Sequence, residues 1–323
     1  MTRTHPFICI FMLGLCLAAC RATPAGERLT ATLTHDGVVR TYHVYLPSGF
    51  KTAAAPPLVI ALHGGGGRGN TFDRGTTLGT LSAAAEERGV VLVFPEGIDR
   101  QWCDGRFTQL EPQSACATTD DVGFIAALID TMVADYGIDP QRVYATGISN
   151  GGFMSFRLAL DLSTKIAAVS PVTAQLSLAV ADKTPQQPIS VMLINGRADP
   201  LIPYDGGEVR LFENRRSRGA IMATDASVAY FRTHNGCDPT PDTVALPDAD
   251  PEDGTTVTIS TYGGCAAGTE VVLVAVDGGG HTWPGGKQYL GPDLIGVVSQ
   301  ELNASALILD FFLAHSLADA AGQ

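Results

Sequence analysis

The sequence predicts an α/β fold: a mainly parallel central sheet with antiparallel strands at its N-terminal edge and helices on both faces. Three observations carry this expectation. Short, continuous apolar runs such as Leu58-Val59-Ile60-Ala61-Leu62 and Val90-Val91-Leu92-Val93-Phe94 read as strands buried on both faces. Segments of helical spacing alternate with these runs. Glycine-rich loops follow several of them, at the strand ends where such sheets collect reactive groups. A chain of 323 residues, 45% hydrophobic and 17% charged, can bury one large core. One folded domain is expected over 28–316, with a short tail over 317–323. No internal repeat or low-complexity linker marks a second.

At the N-terminus, Arg3 precedes an apolar run over 7–17 that is too short to span a bilayer, and Leu17-Ala18-Ala19-Cys20 closes it. An export signal is therefore expected over 1–19. Its ending resembles a bacterial lipobox, which implies cleavage before Cys20, a diacylglycerol on that thiol and a tether over 20–27, so that the lipid is the only membrane contact. Ordinary secretory cleavage nearby is the alternative. Of 7 cysteines, Cys9 and Cys16 lie in the signal, leaving Cys103, Cys116, Cys237 and Cys265 beside Cys20. In an oxidising compartment these four read as two disulfides, most simply Cys103 with Cys116 and Cys237 with Cys265, although three connectivities are open. No pair has Cys-x-x-Cys spacing and no histidine sits beside them, so no metal is expected. The net charge of −12 and the lack of a basic block disfavour nucleic acid; Arg215-Arg216 with Arg218 reads as a solvated helix end.

Along the domain, 28–33 and 38–46 alternate apolar and polar residues around His35-Asp36-Gly37, a hairpin of edge strands. Pro56-Pro57 introduces the 58–62 strand, which breaks at His63-Gly64-Gly65-Gly66-Gly67. A helix is expected over 78–88 and a strand over 90–94. The segment 101–119 reads as a long loop closed by the first disulfide. Asp120-Asp121 caps a helix whose apolar residues are Val122, Ile125, Leu128, Ile129, Met132 and Val133. Strands follow at 143–146, 166–172 and 189–194, then a helix over 220–234 and a surface excursion over 238–254 rich in Pro and Asp. Further strands are expected at 255–262 and 271–276, with a last helix over 300–313.

Four of these strand ends carry chemistry. In Gly147-Ile148-Ser149-Asn150-Gly151-Gly152 a strand turns sharply into a helix, and only small neighbours allow the backbone to lift the serine hydroxyl clear, which makes Ser149 the candidate nucleophile. A serine needs a base, and His281, behind three glycines after a late strand, can accept and return its proton. Asp199, just past a strand end, would hold the imidazole tautomer; Asp205 and Asp277 are rival acids. The order Ser, Asp, His is the one expected of an α/β-hydrolase. Asn150 can offer a backbone N–H to an oxyanion and the glycine loop a second, most simply from Gly65, with Gly64 and Gly66 also open. His63 reads as structural, its ring bonding loop backbone.

Together, His63-Gly64-Gly65-Gly66, Asp120-Asp121-Val122-Gly123-Phe124, the serine elbow, Asn195-Gly196-Arg197-Ala198-Asp199-Pro200 and Gly279-Gly280-His281-Thr282-Trp283-Pro284-Gly285 resemble the bacterial family of polyhydroxybutyrate depolymerase-like and feruloyl-type esterases. The resemblance spans about 29–313. It implies an exported serine hydrolase of carboxylic esters with Ser149, Asp199 and His281 as its triad and no cofactor. Trp283, Tyr204 and Trp102 would then line the substrate pocket or belong to the core. Secreted enzymes attacking solid polyester usually carry a linker and a polymer-binding domain, so soluble esters are expected here, such as feruloyl or acetyl groups on polysaccharide fragments or short hydroxyalkanoate oligomers. A serine peptidase of the same fold is the nearest rival, with no room for a gating propeller domain. A surface lipoprotein that only binds a ligand is another, disfavoured because all three triad residue types and both glycine loops are present.

Overall fold

A computed structural model describes residues 26–52, 54–106, 115–211 and 217–317. The expected signal over 1–19, the Cys20 anchor and the tether to residue 25 lie outside these, as do Arg215, Arg216 and the tail beyond Leu317. The strands are β1 (Glu27–His35), β2 (Val38–Leu46), β3 (Leu58–Leu62), β4 (Val91–Pro95), β5 (Val143–Ile148), β6 (Ala168–Val172), β7 (Ser190–Gly196), β8 (Gly207–Glu208), β9 (Ala220–Ile221), β10 (Asp242–Ala245), β11 (Thr256–Tyr262) and β12 (Val271–Asp277). Ten of them form one sheet in the order β1-β2-β4-β3-β5-β6-β7-β12-β11-β10, while β8 and β9 make a separate ribbon. The six strands from β4 to β12 in that order pair in parallel, and antiparallel strands flank them on both sides. Parallel neighbours need crossovers that cover the sheet, and α/β-hydrolase topology follows: the expected fold class stands.

The covering helices are α1 (Gly69–Gly75), α2 (Thr80–Arg88), α3 (Asp121–Tyr136), α4 (Asn150–Asp161), α5 (Thr224–His234), α6 (Pro292–Ile295) and α7 (Ala304–Leu313). Because side chains alternate along a strand, each central strand feeds two cores. Ile60, Val93 and Leu193 meet Phe124 and Leu128 of α3, Phe156 of α4 and Phe231 of α5 on one face. Val59, Leu92 and Val274 meet Leu81 of α2 and Ile308 of α7 on the other, where Tyr144 stacks on Phe312 at 4.9 Å between ring centroids. Cys103 is bonded to Cys116 and Cys237 to Cys265, the simplest of the pairings considered.

Several boundaries differ from expectation, each for a local reason. The helix expected over 78–88 begins at Thr80, because Leu78 and Gly79 both hold left-handed backbone (φ 57° and 78°). The 220–234 segment splits: Ala220 and Ile221 pair with the ribbon before α5 starts. The 238–254 excursion contains β10, an edge strand with all four residues exposed. The last helix starts at Ala304, where the Asn303 side chain accepts from Ala306 N–H and caps it. Asp120 caps α3 as expected, accepting from Gly123 N–H at 2.9 Å, but its neighbour does not. Asp121 is buried, paired with Arg40 at 2.6 Å and accepting from Cys103 N–H at 2.7 Å.

Candidate active site

β5 ends at Ile148 and α4 begins at Asn150, which leaves Ser149 alone to make the turn, at φ 55° and ψ −119°. A non-glycine residue rarely holds such a conformation, so the surroundings must enforce it. They do so through close backbone contact: a Cβ on Gly151 would lie 2.1 Å from Leu62 O, and one on Gly147 2.6 Å from the same oxygen. Ser149 N–H donates to Val172 O at 2.9 Å, tying the elbow to the end of β6.

Asp199 follows β7, and its carboxylate is held from both sides. Oδ1 accepts from Leu201 N–H at 2.8 Å and Ile202 N–H at 2.9 Å, while Oδ2 lies 2.7 Å from His281 Nδ1. Both side chains are almost fully buried, 2% and 4% exposed. A carboxylate only accepts, so Nδ1 carries the proton and Nε2 is left to accept one. Tyr289, which sequence reasoning missed, donates its hydroxyl to His281 O at 2.7 Å and steadies the loop from outside. Burial raises the Tyr289 pKa well above its ordinary value, with Asp199 adding to the shift, so the hydroxyl stays a donor. The rival acids stand elsewhere: Asp277 pairs with Arg197 at 3.0 Å and Asp205 is exposed.

In the glycine loop, Gly66 N–H is committed to Arg100 O at 2.8 Å and Gly67 N–H to Gly64 O at 2.9 Å. Gly65 N–H has no acceptor among the described residues, and Asn150, as first residue of α4, has no partner within its helix. Both residues line the same cavity as Ser149. The His63 ring, 1% exposed, accepts at Nε2 from Gly97 N–H at 3.1 Å and bonds Gly64 O through Nδ1 at 2.8 Å. The Gly97 bond requires a neutral ring, since Nε2 can accept only when unprotonated, and burial depresses the pKa even though the Gly64 carbonyl pulls the other way. His63 is thus built into the loop backbone. Asn150 contributes more than its N–H: its side-chain amide clasps Trp102, taking N–H at 2.7 Å and giving to O at 2.9 Å, and donates to Asp104 at 2.8 Å. Asp104 in turn pairs with Arg106 at 2.7 Å, whose guanidinium lies 3.6 Å from the centre of the Phe153 ring. No motif signalled Asp104 or Arg106, since both fall in a stretch without periodicity.

Ser149 and His281 line one cavity of about 480 Å³, walled by Phe72, Ile148, Leu201, Ile202 and Leu211 together with the glycine loop. It is mostly apolar with a few polar groups converging on the serine, as ligand sites usually are. The three aromatic residues expected there are corrections. Trp283 is wholly buried, its ring edge against Phe72 at 5.7 Å and its indole N–H on Ser305. Trp102 is wholly buried with its indole N–H on His63 O at 2.9 Å. Tyr204 lies beneath the Arg197 guanidinium at 4.4 Å, and burial pushes its pKa up to about 12. None of the three is among the described residues lining the cavity. Each stands beside a site residue in sequence but turns inward to satisfy packing.

Comparison with known proteins agrees with this architecture. Residues 40–215, over half of the chain, match the family described as esterase PHB depolymerase. A Nocardia uniformis subsp. tsuyamanensis protein named as an esterase, NocK, is 33% identical over 308 residues, covering 91% of this chain and 87% of its own. Feruloyl esterase B of Piromyces equi is 28% identical over 76% of this chain, which spans only 43% of that protein's length. Among solved structures, acetyl xylan esterase from Aspergillus awamori superposes with a TM-score of 0.57 at 14% identity, over 88% of this chain and 99% of its own, which speaks to the fold alone. The chain belongs to the esterase PHB depolymerase family, and is a hydrolase of carboxylic ester bonds.

Proposed function

We propose that the chain cleaves esters through a Ser149–His281–Asp199 relay and an acyl-enzyme. Ser149 Oγ attacks the ester carbonyl as His281 Nε2 takes its proton; Asp199 holds Nδ1–H and stabilises the imidazolium; N–H groups of Asn150 and Gly65 receive the oxyanion. The alcohol leaves with the proton from His281, and water then repeats the sequence to release the acid. The observation that carries this reading is the His281–Asp199 bond of 2.7 Å beside a strained serine on the same cavity. A cavity of about 480 Å³ suits one acyl or alcohol group rather than a polymer chain, and relatives are named for feruloyl and acetylxylan esters. Soluble feruloyl or acetyl esters of polysaccharide fragments, or short hydroxyalkanoate oligomers, are the proposed substrates of the domain spanning 28–316. Two disulfides support export, and we propose lipid attachment at Cys20.

Turnover of methyl ferulate, a short nitrophenyl acyl series, hydroxybutyrate oligomers and amorphous polyhydroxybutyrate by wild type and Ser149→Ala tests the mechanism. Wild-type activity on at least one soluble ester and its loss in the variant are expected; retained activity in Ser149→Ala would sink the serine assignment. Mass spectrometry of the membrane fraction, with Cys20→Ser as comparison, tests the anchor: a diacylglyceryl-cysteine N-terminus is expected, and an unmodified one rules it out.

A further inference from the structure

The chain carries 33 acidic and 21 basic residues, yet the described residues lining the catalytic cavity include no aspartate or glutamate and three arginines, Arg68, Arg106 and Arg218. In a protein of net charge −12 this local reversal of sign needs a reason. Arg106 has one in the fold, since it is buried against Asp104. Arg68 does not. It is exposed at the start of α1, directly after the glycine loop, and no carboxylate among the described residues lies within ion-pair distance of it. It borders both the catalytic cavity and an adjoining polar groove that also holds Thr41, His43, Asn70, Arg100 and two carboxylates, Asp99 and Glu96, the latter already accepting from His43 and from Asn70 N–H. Its charge reaches the glycine loop, where it helps disfavour protonation of His63.

From this distribution of charge we infer that the site prefers esters bearing a carboxylate close to the scissile bond, anchored by Arg68 at the cavity mouth. A guanidinium matches a carboxylate in geometry as well as sign. A cleft of one sign with apolar walls concentrates ligands of the other, even on a protein whose overall charge repels them. The inference rests on the esterase reading and names its substrate class: the carboxylate belongs either to the acyl group, as in a half-ester of a dicarboxylic acid, or to the alcohol, as in a hydroxyacid oligomer.

Two matched pairs decide between those sources. Nitrophenyl hemisuccinate against nitrophenyl butyrate places the charge on the acyl side; a hydroxybutyrate dimer as free acid against its methyl ester places it on the alcohol side. In at least one pair the anionic member should show kcat/KM about tenfold higher, and the ratio should fall as salt rises. Arg68→Ala should cut that ratio by about tenfold and Arg68→Glu further, whereas Lys51→Ala, an equal charge change at the opposite end of β3, should leave it alone. A wild-type ratio at or below one in both pairs overturns the proposal, as does a ratio indifferent to Arg68 or equally sensitive to Lys51. Turnover of nitrophenyl butyrate that vanishes in Ser149→Ala keeps the esterase reading standing in either case.

Discussion

Replacing Asn150 by alanine should weaken the fold while leaving its backbone N–H in the site. The side-chain amide makes three buried bonds, with Trp102 N–H at 2.7 Å, Trp102 O at 2.9 Å and Asp104 at 2.8 Å. A neutral bond contributes about 1 kcal/mol and one to a charged group roughly 1.5–3, and leaving the buried Trp102 N–H unpaired adds a desolvation cost. The three bonds alone sum to about 3.5–5 kcal/mol, before that desolvation cost. With a urea slope of about 3 kcal/mol/M, the unfolding midpoint should drop by more than about 1 M, followed by circular dichroism with disulfides intact. Asn150→Asp should be no better than alanine, since a carboxylate would face both Trp102 O and the Asp104 carboxylate. A midpoint shift below about 0.3 M for alanine, or a stabler aspartate variant, would show that this amide does not hold the 102–106 segment.

Asp199→Asn should lower kcat by about 10⁴ through loss of the required His281 tautomer, while Asp205→Asn and Asp277→Asn change it less than about twofold; steady-state kinetics on one nitrophenyl ester compares all three. Gly151→Ala must force a methyl to within 2.1 Å of Leu62 O, so it should abolish folded, active protein, whereas Gly263→Ala, where a Cβ meets nothing within 4 Å, should fold; soluble yield and thermal melting separate them. The buried His63 ring resists protonation, so as pH falls below its ordinary value of 6.5 the unfolded chain takes up the proton first and stability is lost until the native ring also titrates. Above that pH the contribution is complete. The stability gap between wild type and His63→Gln should therefore shrink from about pH 7.5 to 5.5 in urea titrations, and a gap that widens would contradict a neutral His63.

Strands β3, β4, β5, β7 and β12 were legible because residues buried on both faces leave an unbroken apolar run, and the serine elbow because its contacts admit only glycine on either side. Asp199 and His281 were legible as residues just past strand ends. The cavity wall was not. Trp283 and Leu201 are both apolar residues near a site residue in sequence, and which of them faces the cavity depends on distant partners, Ser305 and Phe72 for the tryptophan, that local pattern does not encode. The Asp104–Arg106 pair was hidden for a related reason: charged residues in an aperiodic loop read as solvated unless the buried amide that receives them is already known. Helix starts moved where a left-handed residue or a cap intervened, as at Leu78 and Asn303.

The direction of β1 bears on how the enzyme would sit at a surface. Glu27 pairs with Leu46, at the end of the sheet where β4 begins, whereas Ser149, Asp199 and His281 all follow strand ends at the opposite pole. Leu317 N–H bonds Gln141 O just before β5, at the same pole as Glu27. Nine residues of extended chain, roughly 30 Å at ~3.4 Å per residue, separate the two poles along β1. Were the chain moored through Cys20 as proposed, the described N-terminal end of β1 would lie at the pole opposite the mouth, and a mouth so turned from the bilayer would suit passing solutes rather than lipids.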